Sequence, residues 1–122
     1  MVPEKDMKLE EIVRILEAEI ISNHDDKDTD VAMACGSDLM SDVLSFAKPG
    51  ALLLTGLTTA QVIYTAEMAD IRVVCFVRGK KPHEETIALA ASKSMILIST
   101  KLPLFESCGR LYKHGLKGCS GL

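Results

Sequence analysis

Ser37, Asp38, Ser41 and Asp42 place two hydroxyls and two carboxylates within a helical turn and a half, the raw material of nucleophilic or acid–base chemistry. A serine nucleophile needs a base within hydrogen-bond reach. The three histidines, His24, His83 and His114, each stand in a separate polar stretch, so no catalytic set converges and no catalytic residue is assigned. Asp26, Asp28 and Asp30 alternate like the opening of a calcium-binding EF loop. The turn glycine of that pattern is here Val31 and its closing glutamate Ser37, which leaves a solvated acidic turn. Cys108, His114 and Cys119 follow the spacing C-x5-H-x4-C, which lacks a fourth zinc ligand and paired C-x-x-C knuckles. Cys108 falls on a helical apolar stripe, where a thiol packs as a small hydrophobe, and Cys35 and Cys75 sit inside apolar runs as core. Neither a metal nor a cofactor is expected.

Anion binding is the chemistry these residue types support better. Helix starts predicted at Ser37 and Thr58 would offer free N–H groups at positive dipole ends, and Arg78, Lys80 and Lys81 would bring cations to the same edge. The candidate ligand-binding residues are Gly36, Ser37, Asp38, Thr55, Gly56, Thr58, Arg78, Gly79, Lys80, Lys81 and Thr100. A phosphate-bearing or carboxylate metabolite, or a nucleotide, suits them. The plainer reading of the same residues is that caps merely cap and a basic turn is solvated. Neither GxGxxG nor GxxxxGK[ST] occurs, so the dinucleotide fingerprint and the P-loop are missing.

The elements that must position these residues follow from periodicity. Apolar runs at 51–55, 73–77 and 95–99 read as buried strands, with further strands at 19–22 and 31–35. Leu9, Ile12, Val13 and Leu16 form the stripe of a first helix over 7–17, with Asp6 as its cap. Ser37 caps a second helix carrying Met40, Val43, Leu44 and Ala47, which Pro49-Gly50 stops. Thr58 and Gln61 read as a capping box for a third, with Val62, Ile63 and Ala66 inward. A fourth spans 84–92, with Glu84 and Glu85 in its first turn. Pro103 opens the last, with Leu104, Phe105, Cys108, Leu111 and Tyr112 as its stripe and Gly115 as its stop. Strands separated by helices of about ten residues imply right-handed crossovers. The fold class is α/β, a three-layer, largely parallel sheet with helices on both faces. Ligands in such sheets bind beyond the carboxyl ends of the strands, where the candidate residues lie.

Composition bounds the rest. The 122 residues are 48% hydrophobic and 25% charged, which suits one globular domain over 1–122, with a core at about 7–116 and a frayed tail at 117–122. A net charge of −3 and two Tyr, three Phe and no Trp argue against nucleic acid, which calls for basic surplus and aromatic platforms. No apolar run approaches the ~18 residues of a membrane span. Four scattered cysteines and a charged N-terminus point to a reducing cytoplasm.

The order of motifs resembles a family. Residues 37–44 (SDLMSDVL), Lys48-Pro49-Gly50, residues 54–58 (LTGLT), residues 77–86 (VRGKKPHEET) and Ile98-Ser99-Thr100 are similar, in sequence order, to the DRTGG domain. Together with residues 105–112 (FESCGRLY), they look most like the small stand-alone DRTGG proteins found near hydrogenase and other redox genes in anaerobic bacteria. The chain departs from the motif where Leu57-Thr58 stand for its Asp-Arg and Val77-Arg78-Gly79 for its Thr-Gly-Gly. The resemblance implies a fold like the N-terminal domain of HPr kinase/phosphatase. It also implies a non-catalytic regulatory or interaction module and a homodimer. The other role it implies is that of a redox or maturation accessory factor, or an enzyme, with a redox-enzyme partner.

Overall fold

The computed structural model describes residues 6–22 and 28–120. In chain order these form β1 (Met7–Lys8), α1 (Leu9–Leu16), β2 (Glu19–Ile20), β3 (Asp30–Val31), β4 (Met33–Gly36), α2 (Met40–Phe46), β5 (Ala51–Thr55), α3 (Ala60–Met68), β6 (Val73–Phe76), α4 (Glu84–Ser92), β7 (Ile96–Ser99), α5 (Leu104–Lys113) and β8 (Lys117–Gly118). Six strands make one sheet in the order β2-β7-β6-β5-β4-β8, parallel except for β2, which runs antiparallel to β7. The expected α/β architecture is the one observed.

The sheet divides the core in two. Leu52, Leu54, Val73, Cys75, Ile96 and Ile98 face α1 and α5. Leu53, Val74, Phe76 and Leu97 alternate to the other face and meet α2, α3 and α4. Alternation along strands buried on both sides explains why these runs are apolar throughout. The consecutive order of β4 to β7 puts the three helices that join them on one face.

Four helices end in the same way. Glu17, Asp70, Ser94 and Gly115 take positive φ, and the next residue sends its N–H back five residues: Ala18 to Val13, Ile71 to Ala66, Met95 to Ala90 and Leu116 to Leu111, at 2.8–3.0 Å. These are Schellman closures, each followed by an apolar residue. Ile71, Met95 and Leu116 are buried, so each closure aims the chain back at the sheet.

Several expectations need correction. The first helix begins at Leu9, not Met7, because Met7 and Lys8 pair with Val31 and Asp30 in a separate two-stranded sheet. Thr29 C=O then accepts the Leu9 N–H at 2.9 Å, so Asp6 does not cap. The strand expected at 31–35 breaks at Ala32 into β3 and β4. Phe105 and Tyr112, placed on the inner stripe of the last helix, are 85% and 74% exposed; its core contacts come from Leu104, Cys108 and Leu111. Leu44, likewise expected inside, is exposed. The region expected to fray forms β8 beside β4, with Leu116 and Cys119 buried. His24 and Asp26, with residues 1–5 and 121–122, lie outside the described residues, so the calcium-loop pattern is not followed further.

Burial also sets an alkaline limit. Desolvation, with a smaller contribution from Cys108, pushes the Cys75 thiol from its ordinary 9.0 up to about 12. The folded chain therefore keeps a proton that the unfolded chain releases. This contribution to stability is fully present below about pH 9 and is lost as pH rises from there towards about 12. The expected loss near pH 10 is about 1 kcal/mol, read as a falling urea midpoint. A Cys75→Ala variant should show a shallower fall between pH 8 and 10.

Candidate functional site

The carboxyl ends of β4, β5, β6 and β7 empty into four loops along one edge of the sheet, and every candidate residue lies there. The first two loops form one hydrogen-bonded unit. Asp38 Oδ1 accepts from Thr55 Oγ1 at 2.9 Å and from the Gly56 N–H at 2.7 Å, while Thr55 Oγ1 accepts the Leu57 N–H at 3.2 Å. Asp38 is thus a clamp between the β4–α2 and β5–α3 loops. Ser37 Oγ accepts the Leu39 N–H at 3.0 Å, a local turn two residues ahead of the helix. Neither Ser37 nor Thr58 caps: the residues at the cap positions are Leu39 and Thr59, and neither helix start carries a side-chain cap.

The other two loops are knitted by a tight turn. Lys80 N–H bonds Val77 C=O at 3.2 Å, and the two residues between, Arg78 and Gly79, have φ of 61° and 69°. Positive φ at both central positions is the signature of a I′ turn, which favours glycine, asparagine or aspartate. An arginine there costs roughly 1 kcal/mol. The neighbouring loop holds it in place: Arg78 N–H bonds Leu102 C=O at 2.9 Å and Gly79 N–H bonds Thr100 C=O at 2.8 Å. Ser99 Oγ donates to Lys80 C=O at 3.0 Å, and Thr100 Oγ1 donates to Leu16 C=O at 2.6 Å.

Two open cavities lie along the same edge, the first of them adjoining this turn. One, of about 660 Å³, is lined by the end of α1, Glu17 to Glu19, Gly79, Lys81 and residues 99–102. The other, of about 830 Å³, lies between the starts of α3 and α4, where Thr58 meets His83, Glu84 and Glu85. The predicted residues therefore separate. Gly79, Lys81 and Thr100 line the first cavity, and Thr58 the second. Ser37, Asp38, Thr55 and Gly56 hold the loops to one another, and Gly36 faces Cys108 on α5, whose sulfur would lie 2.6 Å from a Cβ at that position.

Charge favours the first cavity over the second for an anion: Lys81 and Lys101 there balance Glu17 and Glu19, whereas Glu84 and Glu85 line the second with no lysine or arginine among the described residues beside them. Lys81 pairs with Glu19, whereas Arg78, Lys80 and Lys101 are exposed and form no ion pair among the described residues. Lys101, Glu17 and Glu19 escaped sequence reasoning. Lys101 carried a usable signal, a cation directly beyond a buried strand; the acidic wall depends on α1 crossing to β7 and had none. The C-x5-H-x4-C residues do not assemble. Cys119 belongs to the α2–α4 face and Cys108 to the α1–α5 face, while His114 Nδ1 hydrogen-bonds Arg110 C=O at 2.8 Å.

Comparison with known proteins places this architecture. The DRTGG domain family matches residues 11–113. No curated protein matches the sequence. Among solved structures, the CBS and DRTGG domains of the regulatory region of Clostridium perfringens pyrophosphatase, complexed with its activator diadenosine tetraphosphate, superpose with a TM-score of 0.71 at 19% identity. The match covers 85% of this chain and 45% of that one, so the chain spans less than half of that regulatory region. Likeness at that identity concerns the fold. Among the described residues no helix is long and apolar enough to cross a membrane.

Proposed function

Because the chain belongs to the DRTGG domain family, we propose that it is a non-catalytic regulatory module that senses a small anionic ligand, a nucleotide being the best candidate, at the β6–β7 loop edge. The observation that carries this reading is the strained turn at Arg78-Gly79. The family motif has glycine at both positions, which is what two positive φ values call for. This chain puts an arginine at the first of them, next to Gly79, which lines the 660 Å³ cavity together with Lys81 and Lys101. Strain kept at a ligand-sized opening is the pattern of a binding site. Arg78 can meet a phosphate through two parallel N–H donors, and Lys80 and Lys101 add point charges. The nucleotide class is supported by the activator bound in the pyrophosphatase regulatory region.

The test is thermal shift with diadenosine tetraphosphate, ATP and inorganic phosphate. A true ligand at a hundredfold excess over Kd should raise the melting temperature by roughly 10 °C. Arg78→Gly should abolish that rise without lowering the melting temperature of the free protein, since glycine relieves the positive φ. Lys80→Ala/Lys101→Ala should weaken it. If no anion shifts wild type, or Arg78→Gly binds as wild type does, the sensing role is lost and an interaction role remains.

We place the module in the cytoplasm as a homodimer, on family resemblance. Phe46, Tyr64 and Met68, exposed on neighbouring helices α2 and α3, supply apolar surface for self-association. Light scattering of wild type against Tyr64→Glu/Met68→Glu tests the dimer.

A further inference from the structure

The four cysteines sort two and two across the sheet. Cys75 and Cys108 pack on the α1–α5 face, and Cys35 and Cys119 on the α2–α4 face. The second pair is set by strand register. Edge strand β8 runs parallel to β4 with Met33 opposite Lys117 and Ala34 opposite Gly118. Cys35 is the next residue of β4, and Cys119 is the residue that directly follows β8. Paired strands run about 4.7–4.9 Å apart, inside the Cα separation a disulfide requires. The two side chains pack against the same face of the sheet. Cys119 Sγ also approaches Ala34 C=O at 3.8 Å, so the side chain turns in towards β4.

We propose that Cys35 and Cys119 are a reversible dithiol–disulfide pair whose closure staples the C-terminal edge strand to β4. The oxidant is a low-molecular-weight disulfide. The Cys35 thiolate attacks one of its sulfurs and expels the other as a thiolate, leaving a mixed disulfide on Cys35. The Cys119 thiolate then attacks Cys35 Sγ and expels the second small thiolate. The sum is one small disulfide reduced to two thiols, with the two protein thiols oxidised to one bond. Cys35 is partly exposed and so is the entry point, with Cys119, buried behind it, as the resolving thiol. Burial raises the Cys35 pKa, so its thiolate is scarce at neutral pH and closure is slow without a strong oxidant excess.

The consequence reaches the loop edge. Cys35 directly precedes Gly36, Ser37 and the Asp38 clamp, and β8 is registered to β4 over two residue pairs. A covalent bond across a chain segment of this length should raise the melting temperature by roughly 10 °C.

The experiment incubates the 122-residue protein with oxidised glutathione, followed by thiol titration, intact mass and peptide mapping. Wild type and Cys108→Ser are expected to lose two thiols, to yield a Cys35–Cys119 linked peptide, to gain the thermal shift and to revert with dithiothreitol. Cys35→Ser and Cys119→Ser should form no internal bond, and Cys119→Ser should stop at the glutathione adduct on Cys35. Mapping on wild type keeps the test independent of how the variants fold. An unchanged thiol count, or a bond that maps to Cys108, to Cys75 or between two chains, overturns the assignment.

Discussion

Phe76→Ala is expected to destabilise the fold by about 3–5 kcal/mol, a large fraction of the 5–15 kcal/mol that holds a typical domain. Phe76 is the bulkiest of the fully buried side chains and shares the α2–α4 face with Leu53, Val62 and Leu97. Truncation leaves a cavity between two rigid strands and helix α3, and close-packed neighbours relax into such a gap only in part. Phe76 also ends β6, pairing with Thr55 and Ser99 in register, and its C=O accepts the Thr100 N–H at 2.9 Å. The loss should therefore reach the Arg78 turn two residues on. Urea unfolding should show a lower midpoint at unchanged slope. Phe76→Leu, which refills most of the volume, should cost less than about 1.5 kcal/mol. A midpoint for Phe76→Ala within experimental error of wild type would mean the ring is not the keystone of that face.

Sequence reading recovered what short-range physics dictates. Ala51–Thr55 is apolar at four of five positions, and no pattern but a strand buried on both faces accommodates that between turns. Helix Glu84–Ser92 was legible to the residue because its acidic first turn and alanine-rich body have no competing signal. The failures share a cause: a distant partner overrode a local preference. Asp6 is a good cap by type, but Met7 and Lys8 found strand partners at Asp30 and Val31. Ser37 and Thr58 are good caps by type, but the chain needed two further residues after the first and one after the second to leave the sheet edge. Gly115 was readable as a helix stop because glycine advertises positive φ, while Glu17, Asp70 and Ser94 make the same closure without advertising it. β8 was hidden because a strand of two residues carries no periodicity; only Leu116, buried just ahead of it, marks the place.

The site shows the same division. That the strand ends would gather small and basic residues at one edge follows from parallel topology and was visible in advance. Which of those residues face an opening was not, because it depends on hydrogen bonds between loops far apart in sequence. Thr100 looked like a ligand group, yet its hydroxyl is spent on Leu16 C=O, 84 positions away, and on the Leu102 N–H at 3.2 Å. Lys81 looked like a cation for a ligand, yet it answers Glu19. Arg78 is the reverse case: its type was visible, but its backbone strain was not.

Asp38 decides between those two kinds of role. Asp38→Ala is expected to cost about 2 kcal/mol. It strips the acceptor from the Gly56 N–H and from a Thr55 hydroxyl whose residue is fully buried, and bonds to a charged acceptor are worth about 1.5–3 kcal/mol. The lower half of that range applies because the Asp38 carboxylate is partly in water, which screens it. Asp38→Asn keeps an acceptor oxygen and should lose less than half as much. The double-mutant cycle with Thr55→Val isolates the pair: the two losses should fall short of adding by about 1 kcal/mol, since either change breaks the same bond. Full additivity would show that Thr55 and Asp38 act separately. Anion affinity supplies the contrast. If Asp38 serves to clamp the β4–α2 and β5–α3 loops, which reach the Arg78 turn through the Val77 N–H bond to Thr55 C=O at 3.1 Å, Asp38→Ala should lower the melting temperature and leave the anion-induced rise intact, whereas Arg78→Gly does the opposite. A tenfold change in anion affinity on Asp38→Ala would instead draw the β4–α2 loop into the ligand site and extend it across the whole edge of the sheet.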